Sequence, residues 1–142
     1  MLVEDRQVQK ILTAWYNLRQ HLETASDPLL DVANFFSKLP KTKFYTDPYD
    51  PDTWPTPWEL ITENEYCNFN LILGICYTLQ LTERFKDYQP KINLAIDTIN
   101  KTVYYLLFVK DKVYGYSEGW IDKKDLPKSL KIQKKYAMPA IH

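Results

Sequence analysis

Apolar positions recur at helical spacing along the first part of the chain. Val8, Ile11, Leu12, Trp15, Leu18 and Leu22 form one stripe, while Arg6, Gln9, Lys10, Asn17, Arg19, Gln20 and Glu23 occupy much of the remaining circumference. The pattern predicts an amphipathic helix over about residues 4–23 with Trp15 near its centre. Its apolar face either packs on the domain or is lent to a partner, since apolar surface left in water is costly. Ser26-Asp27-Pro28 then reads as a second helix start, with Ser or Asp as cap and Pro in the first turn. That helix runs through Leu29, Val32, Phe35 and Phe36 and stops near Pro40.

From Lys41 to Thr56 the chain carries Pro48, Pro51 and Pro55 among Asp and Tyr, the composition of a surface loop held down by aromatic anchors such as Trp54. Thr56-Pro57-Trp58-Glu59 makes a capping box for a short helix to about Glu63, with a break at Asn64. The next helix, about Tyr66 to Phe85, is apolar on several sides (Leu71, Ile72, Leu73, Ile75, Tyr77, Leu79, Leu81) and belongs at the centre of a fold. Gly74 inside it lowers helix propensity and predicts close approach of another backbone.

After Pro90 the period changes to two. Ile92, Leu94 and Ile96 alternate with Asn93, Ala95 and Asp97, the pattern of a half-buried strand. Asn100-Lys101 turns the chain into Val103–Val109, and Lys110-Asp111-Lys112 turns it into Val113–Tyr116, giving a three-stranded antiparallel meander. Trp120 is expected to tuck under the sheet, and residues 123–142 to form an irregular basic arm. The fold class expected is α+β: N-terminal helices, a central apolar helix and the meander packed on it. The expected organisation is one domain over residues 1–121 and a C-terminal arm over 122–142.

Composition changes this picture in three ways. Tyrosine occurs 11 times and aromatics reach 15%, which suits a β-rich core or partly wet interfaces. Net charge is zero, so no global field recruits nucleic acid or membrane, yet the charge is segregated. Residues 27–65 hold eight acids and three lysines; residues 122–136 hold six lysines and two aspartates. The opening residues are polar and charged, unlike a signal peptide, and no apolar run reaches the roughly 18 residues a membrane span requires. Cys67 and Cys76, nine positions apart on one helix, fall on opposite faces, so both are expected reduced in a cytoplasmic setting.

The candidate chemistry centres on Cys67, read as lying in the first turn of the central helix. Backbone N–H groups point outward there and the dipole is positive, an arrangement that favours a thiolate. A helix with such a cysteine, followed by an antiparallel sheet, resembles the transglutaminase-like cysteine hydrolase core. Members carry a W-x-x-P-x-E-like segment before the nucleophile helix, which Trp54, Pro57 and Glu59 echo, and Glu65-Tyr66-Cys67-Asn68 stands at the nucleophile. The resemblance covers residues 54–120. It implies a catalytic His near Tyr104 and an Asp near Tyr116 or Ser117, and neither position supplies that chemistry. The two histidines are His21, on the first helix, and His142, the last residue. A thiol with a free pKa of about 8.5 and no adjacent base is only a few per cent thiolate at neutral pH.

Other chemistry has less support. The three glycines make no phosphate loop, and zinc would need more Cys and His at close spacing. Asp47, Asp50 and Asp52 are read as turn-formers rather than cation ligands. No metal or cofactor is expected.

The run from Lys38 to Ile61 is also similar in style to small proteins of tailed bacteriophages. The reading that follows is a non-enzymatic structural or protein-interaction module, a phage virion component or assembly factor located in host cytoplasm or virion. It would bind a protein partner or itself, without nucleic acid or membrane, through Trp15, Tyr45, Tyr49, Trp54, Trp58, Lys123, Lys124, Lys131, Lys134 and Lys135. The alternative is a cysteine hydrolase or acyltransferase with Cys67 as nucleophile, its base being Tyr104 or a partner's residue.

Overall fold

The helix starts follow from their local residues. Asp27 caps α2 (Pro28–Ser37) by accepting from the Leu30 amide, with Pro28 in the first turn. Thr56 and Glu59 form the reciprocal capping box of α3 (Pro57–Glu63), which ends at Asn64 in the left-handed conformation. The computed structural model describes residues 3–43 and 46–141, so Tyr45 and His142 lie outside the described residues. α1 spans Val3–Leu22 and α4 spans Asn68–Gln80.

α4 is shorter than its apolar pattern suggests, and the chain after it shows why. The Thr82 hydroxyl donates to the Leu79 carbonyl. The Glu83 and Arg84 amides donate to the Glu23 carboxylate at 2.8 and 2.9 Å. Arg84 in turn donates to the Leu22 and Ala25 carbonyls. Groups that could have continued the helix instead clamp its end to the end of α1, a tertiary demand that outranks local propensity.

The sheet has five strands where the alternation predicts three. β1 (Lys91–Asp97), β2 (Val103–Val109) and β3 (Lys112–Tyr114) form the expected meander, and β4 (Trp120–Asp122) extends it. β5 (Leu130–Ala137) pairs antiparallel with β1, giving the order β4-β3-β2-β1-β5. Residues 122–142 therefore do not form the irregular arm expected. Lysines and single apolar residues disguise an edge strand whose charged positions face water, as edge strands commonly do. β1 is also more deeply buried than a half-buried strand, because the segment leading to β5 covers its second face.

All four helices lie on one side. The main core joins Trp15, Val32, Phe36, Leu60, Phe69, Leu73 and Leu79 to Ile92, Leu94, Leu107 and Val109 of the sheet. A smaller cluster on the outer face consists of Ala95, Leu106 and Val113, with Tyr104, Phe108, Leu126 and Ile132 against it. Trp15 is 1% exposed and donates to the Thr78 hydroxyl at 2.9 Å. It is a core residue, so the surface expected at Trp15 is not available to a partner.

What approaches Gly74 is a ring rather than a backbone. A Cβ there would stand 2.4 Å from Cε1 of Phe36. Gly74→Ala is therefore expected to cost about 1–3 kcal/mol, because the Phe36 ring must move within a packed core. Urea denaturation of Gly74→Ala, Phe36→Leu and the double variant checks this. The penalty of Gly74→Ala should shrink by more than half in the Phe36→Leu background, and strict additivity would refute the contact.

Candidate functional site

The path into α4 is fixed on both sides. After the turn at Asn64, Tyr66 forms an isolated parallel bridge with Lys41, its amide donating to the Pro40 carbonyl and its carbonyl accepting from the Thr42 amide. Tyr66 is fully buried, and its hydroxyl has no hydrogen-bond partner among the described residues; desolvation holds that hydroxyl's pKa well above the ordinary value. Cys67 follows as the N-cap of α4, just before the first turn in which the sequence pattern puts it. Its carbonyl accepts from the Leu71 amide, its side chain makes no capping bond, and the thiol is free and half-buried.

Cys67 opens onto a concavity of about 350 Å³ bordered by Lys41, Thr42, Thr46, Asn68 and Tyr105. Asn68 and Tyr105 also border a neighbouring groove of about 410 Å³, lined by Ala33 and Ser37 of α2, by Leu71 and Ile75 of α4 and by the start of β2. Phe69 carries the first turn of α4 into an aromatic row. It lies 5.5 Å from Tyr105 and 5.0 Å from Trp54, and Trp54 meets Tyr136 of β5 at 5.0 Å. Trp54 is fixed in turn by its indole N–H, which donates to the Asp47 carbonyl. The proline loop thus seats the start of the central helix against the sheet.

Strand parity decides which side chain of β2 faces the cysteine. Tyr105, Leu107 and Val109 share the helix-facing core, whereas Tyr104, Leu106 and Phe108 belong to the outer cluster. Tyr104 stacks with Tyr116 on that outer side, at 5.0 Å between rings. Tyr104 therefore cannot serve as a base for Cys67, and Tyr105 holds the position facing it. Sequence alternation identifies the two faces of VYYLLFV, but not which of them meets the helix.

His21 is exposed at the end of α1 and hydrogen-bonded to Asp31 at 2.9 Å. Cys76 is fully buried among apolar side chains, which pushes its thiol far above the ordinary range. Asp47 accepts from the Tyr49 amide as a turn-former, and among the described residues no group of three or more His, Cys, Asp or Glu side chains is placed to hold a metal. No helix of the described residues is long and apolar enough to cross a membrane.

The expected interaction residues are scattered. Tyr49 and Trp58 are 56% and 49% exposed, Tyr49 reaching Gln133 of β5 and Trp58 lying edge-on to Trp15. Trp54 is half-buried in the aromatic row. Lys124, Lys131 and Lys134 are exposed, while Lys123 and Lys135 border a separate concavity on the outer face. Sequence reasoning missed Lys41 and Tyr105 beside the cysteine, and Lys91 and Lys110 beside the outer concavity.

No family model matches this chain, and no curated protein matches it. Among solved structures it is similar to calcium-bound LapG of Legionella pneumophila, with a TM-score of 0.68 at 20% sequence identity, covering 94% of this chain and 81% of that one. LapG is a cysteine protease of transglutaminase-like type. The likeness shows the fold, and it supports the transglutaminase-like resemblance read from residues 54–120. It overturns the preference for a non-enzymatic structural module, since the fold is one that carries cysteine-hydrolase chemistry. Nothing in the comparisons supports the bacteriophage character expected.

Proposed function

We propose that the protein is a cysteine acyltransferase or hydrolase with Cys67 as nucleophile. The supporting observation is the placement of that thiol as N-cap of the central helix, half-buried on an open concavity, in a fold shared with a cysteine protease. The Cys67 sulfur attacks an acyl carbon. The first amides of α4, which have no intrahelical acceptor, stand at the positive end of the helix to receive the developing oxyanion. Asn68 and Tyr105, bordering both the thiol's concavity and the adjoining groove, orient the acyl chain between them.

Among the described residues no imidazole borders Cys67, and this shapes the substrate class. An amide nitrogen must be protonated as it leaves, the task of the histidine in a triad. At Cys67 the sheet presents a tyrosine in that place. A thioester suits this site better, because its thiolate departs without a proton. The Cys67 thiol first gives its proton to solvent, the helix N-terminus favouring the thiolate; attack by that thiolate then forms an acyl-cysteine and releases the donor thiolate, which takes up a proton from solvent. Water or a second nucleophile then displaces the acyl group and regenerates the Cys67 thiol.

Incubation with a small acyl thioester, followed by intact-mass and peptide mapping, tests this. One acyl adduct on Cys67 is expected, lost in Cys67→Ser, with buried Cys76 unmodified and the corresponding anilide at least ~100-fold slower, the order of effect of a missing general acid. Absence of the adduct, or equal acylation of Cys67→Ser, sinks the proposal.

A further inference from the structure

The helices cover one face of the sheet, and the other is only partly roofed. Between β4 and β5 the chain makes a 3-10 turn at Lys123–Asp125 and passes through Leu126 and Pro127, with Leu126 packed against the outer cluster. Beside this segment lies a concavity of about 480 Å³. That is the size of a small-molecule site. Its floor is apolar and aromatic, made by Leu106, Phe108 and Ile132, and its rim carries Lys91, Lys110, Lys123 and Lys135 with no carboxylate among the lining residues.

Two observations point to a ligand. First, among the described residues none of these four lysines enters an ion pair, although the fold pairs the neighbouring Lys112 with Asp122; Lys123 stands 5.9 Å over the Phe108 ring and Lys110 5.8 Å over those of Phe85 and Tyr88. Four like charges around one hollow repel one another in the empty state and are relieved by a polyanion. Second, Asn93 of β1 shares the outer face with Ala95, opposite Leu106, and borders the concavity while only 9% exposed. Its side-chain oxygen is buried without a hydrogen-bond partner among the described residues. A buried acceptor left unpaired is costly, and a ligand N–H removes that cost.

We propose that this outer concavity binds a nucleoside polyphosphate. The four lysines take the phosphates, whose negative charge offsets their own. The base lies on the apolar floor, taking the place over Phe108 that the Lys123 ammonium holds at 5.9 Å, and its exocyclic amine donates to the Asn93 side-chain oxygen as that buried amide turns into the hollow. A bare polyanion uses the lysines but leaves the floor and Asn93 unsatisfied. An uncharged nucleoside does the reverse. The site lies on the face of the sheet opposite Cys67 and is independent of the acyl-transfer reading.

Calorimetric titration of the full chain with ATP, inorganic tripolyphosphate and adenosine separates these contributions. Saturable one-to-one ATP binding is expected, at least about tenfold tighter than tripolyphosphate and tighter again than adenosine. Lys123→Ala and Lys135→Ala are surface changes that leave the core intact, and each should weaken ATP by about tenfold, the usual worth of a charge-assisted bond. Asn93→Ala should weaken ATP and leave tripolyphosphate unchanged. If that variant fails to fold, the lysine variants and the tripolyphosphate comparison still decide. The proposal fails if ATP does not saturate, if the double lysine variant binds it as well as the parent, or if tripolyphosphate binds as tightly as ATP.

Discussion

Gly115→Ala is expected to destabilise the protein by about 2–5 kcal/mol, the sum of two independent costs. Its φ of +100° lies where an L side chain is strained, which costs about 1–2 kcal/mol. A Cβ would also stand 1.9 Å from the Tyr105 carbonyl oxygen. That atom is backbone of β2, so relief requires the strand itself to move rather than a side chain to rotate. For a chain of this length such a loss lowers the thermal midpoint by roughly 7–17 °C.

Gly119→Ala is the matched control. Its φ of +67° carries the strain, but the nearest atom to its Cβ is a Leu30 methyl at an ordinary 3.7 Å, so only about 1 kcal/mol is expected. Because the displaced carbonyl belongs to Tyr105, Gly115→Ala should also change the rate of Cys67 alkylation well below the melting transition, which Gly119→Ala should not do. Equal melting points for the two variants would remove the close approach from the account.

The elements that could be read in the sequence are those whose signals are local. The Thr56 capping box, the Asp27-Pro28 helix start and the period of two after Pro90 each depend on residues a few positions apart, and the structure honours all three. What could not be read depends on partners far along the chain. Whether LKIQKKYA is a tail or a strand depends on whether β1 offers it an edge, and its lysines suit either state. The end of α4 is set by Glu23, sixty residues upstream of Glu83.

The candidate site divides along the same line. Cys67 is legible because a cysteine before an apolar helix is a local pattern. Its companions Lys41 and Tyr105 are not, since they arrive from a loop bridge and from one face of a distant strand. The outer lysines show the same limitation. Lys123 and Lys135 stand out in a basic run, whereas Lys91 and Lys110 flank the meander and join them only once the sheet is closed.

Trp15→Ala should cost about 3–5 kcal/mol, the range for removing a fully buried large aromatic. Trp15 is among the largest side chains with almost no exposure, and its loss opens a cavity between α1, α3 and α4. The indole also donates to Thr78, whose own hydroxyl donates to the Gly74 carbonyl, so the variant leaves that buried hydroxyl without its donor. Arg19 stands 4.3 Å over the ring, and Trp58 meets it edge-on at 5.4 Å. Both lose their platform. Trp15→Phe keeps most of the burial and forfeits the Thr78 bond, so about 1–2 kcal/mol is expected there. Trp58→Ala, at a half-exposed position, should cost less than half as much as Trp15→Ala. Chemical denaturation of the three variants should rank Trp15→Ala as the most damaging, with Trp15→Phe and Trp58→Ala both nearer the parent. Were Trp15→Ala to melt with the parent, α1 would be held by its other packed residues, Ile11, Leu12, Leu18 and Leu22, rather than by this indole.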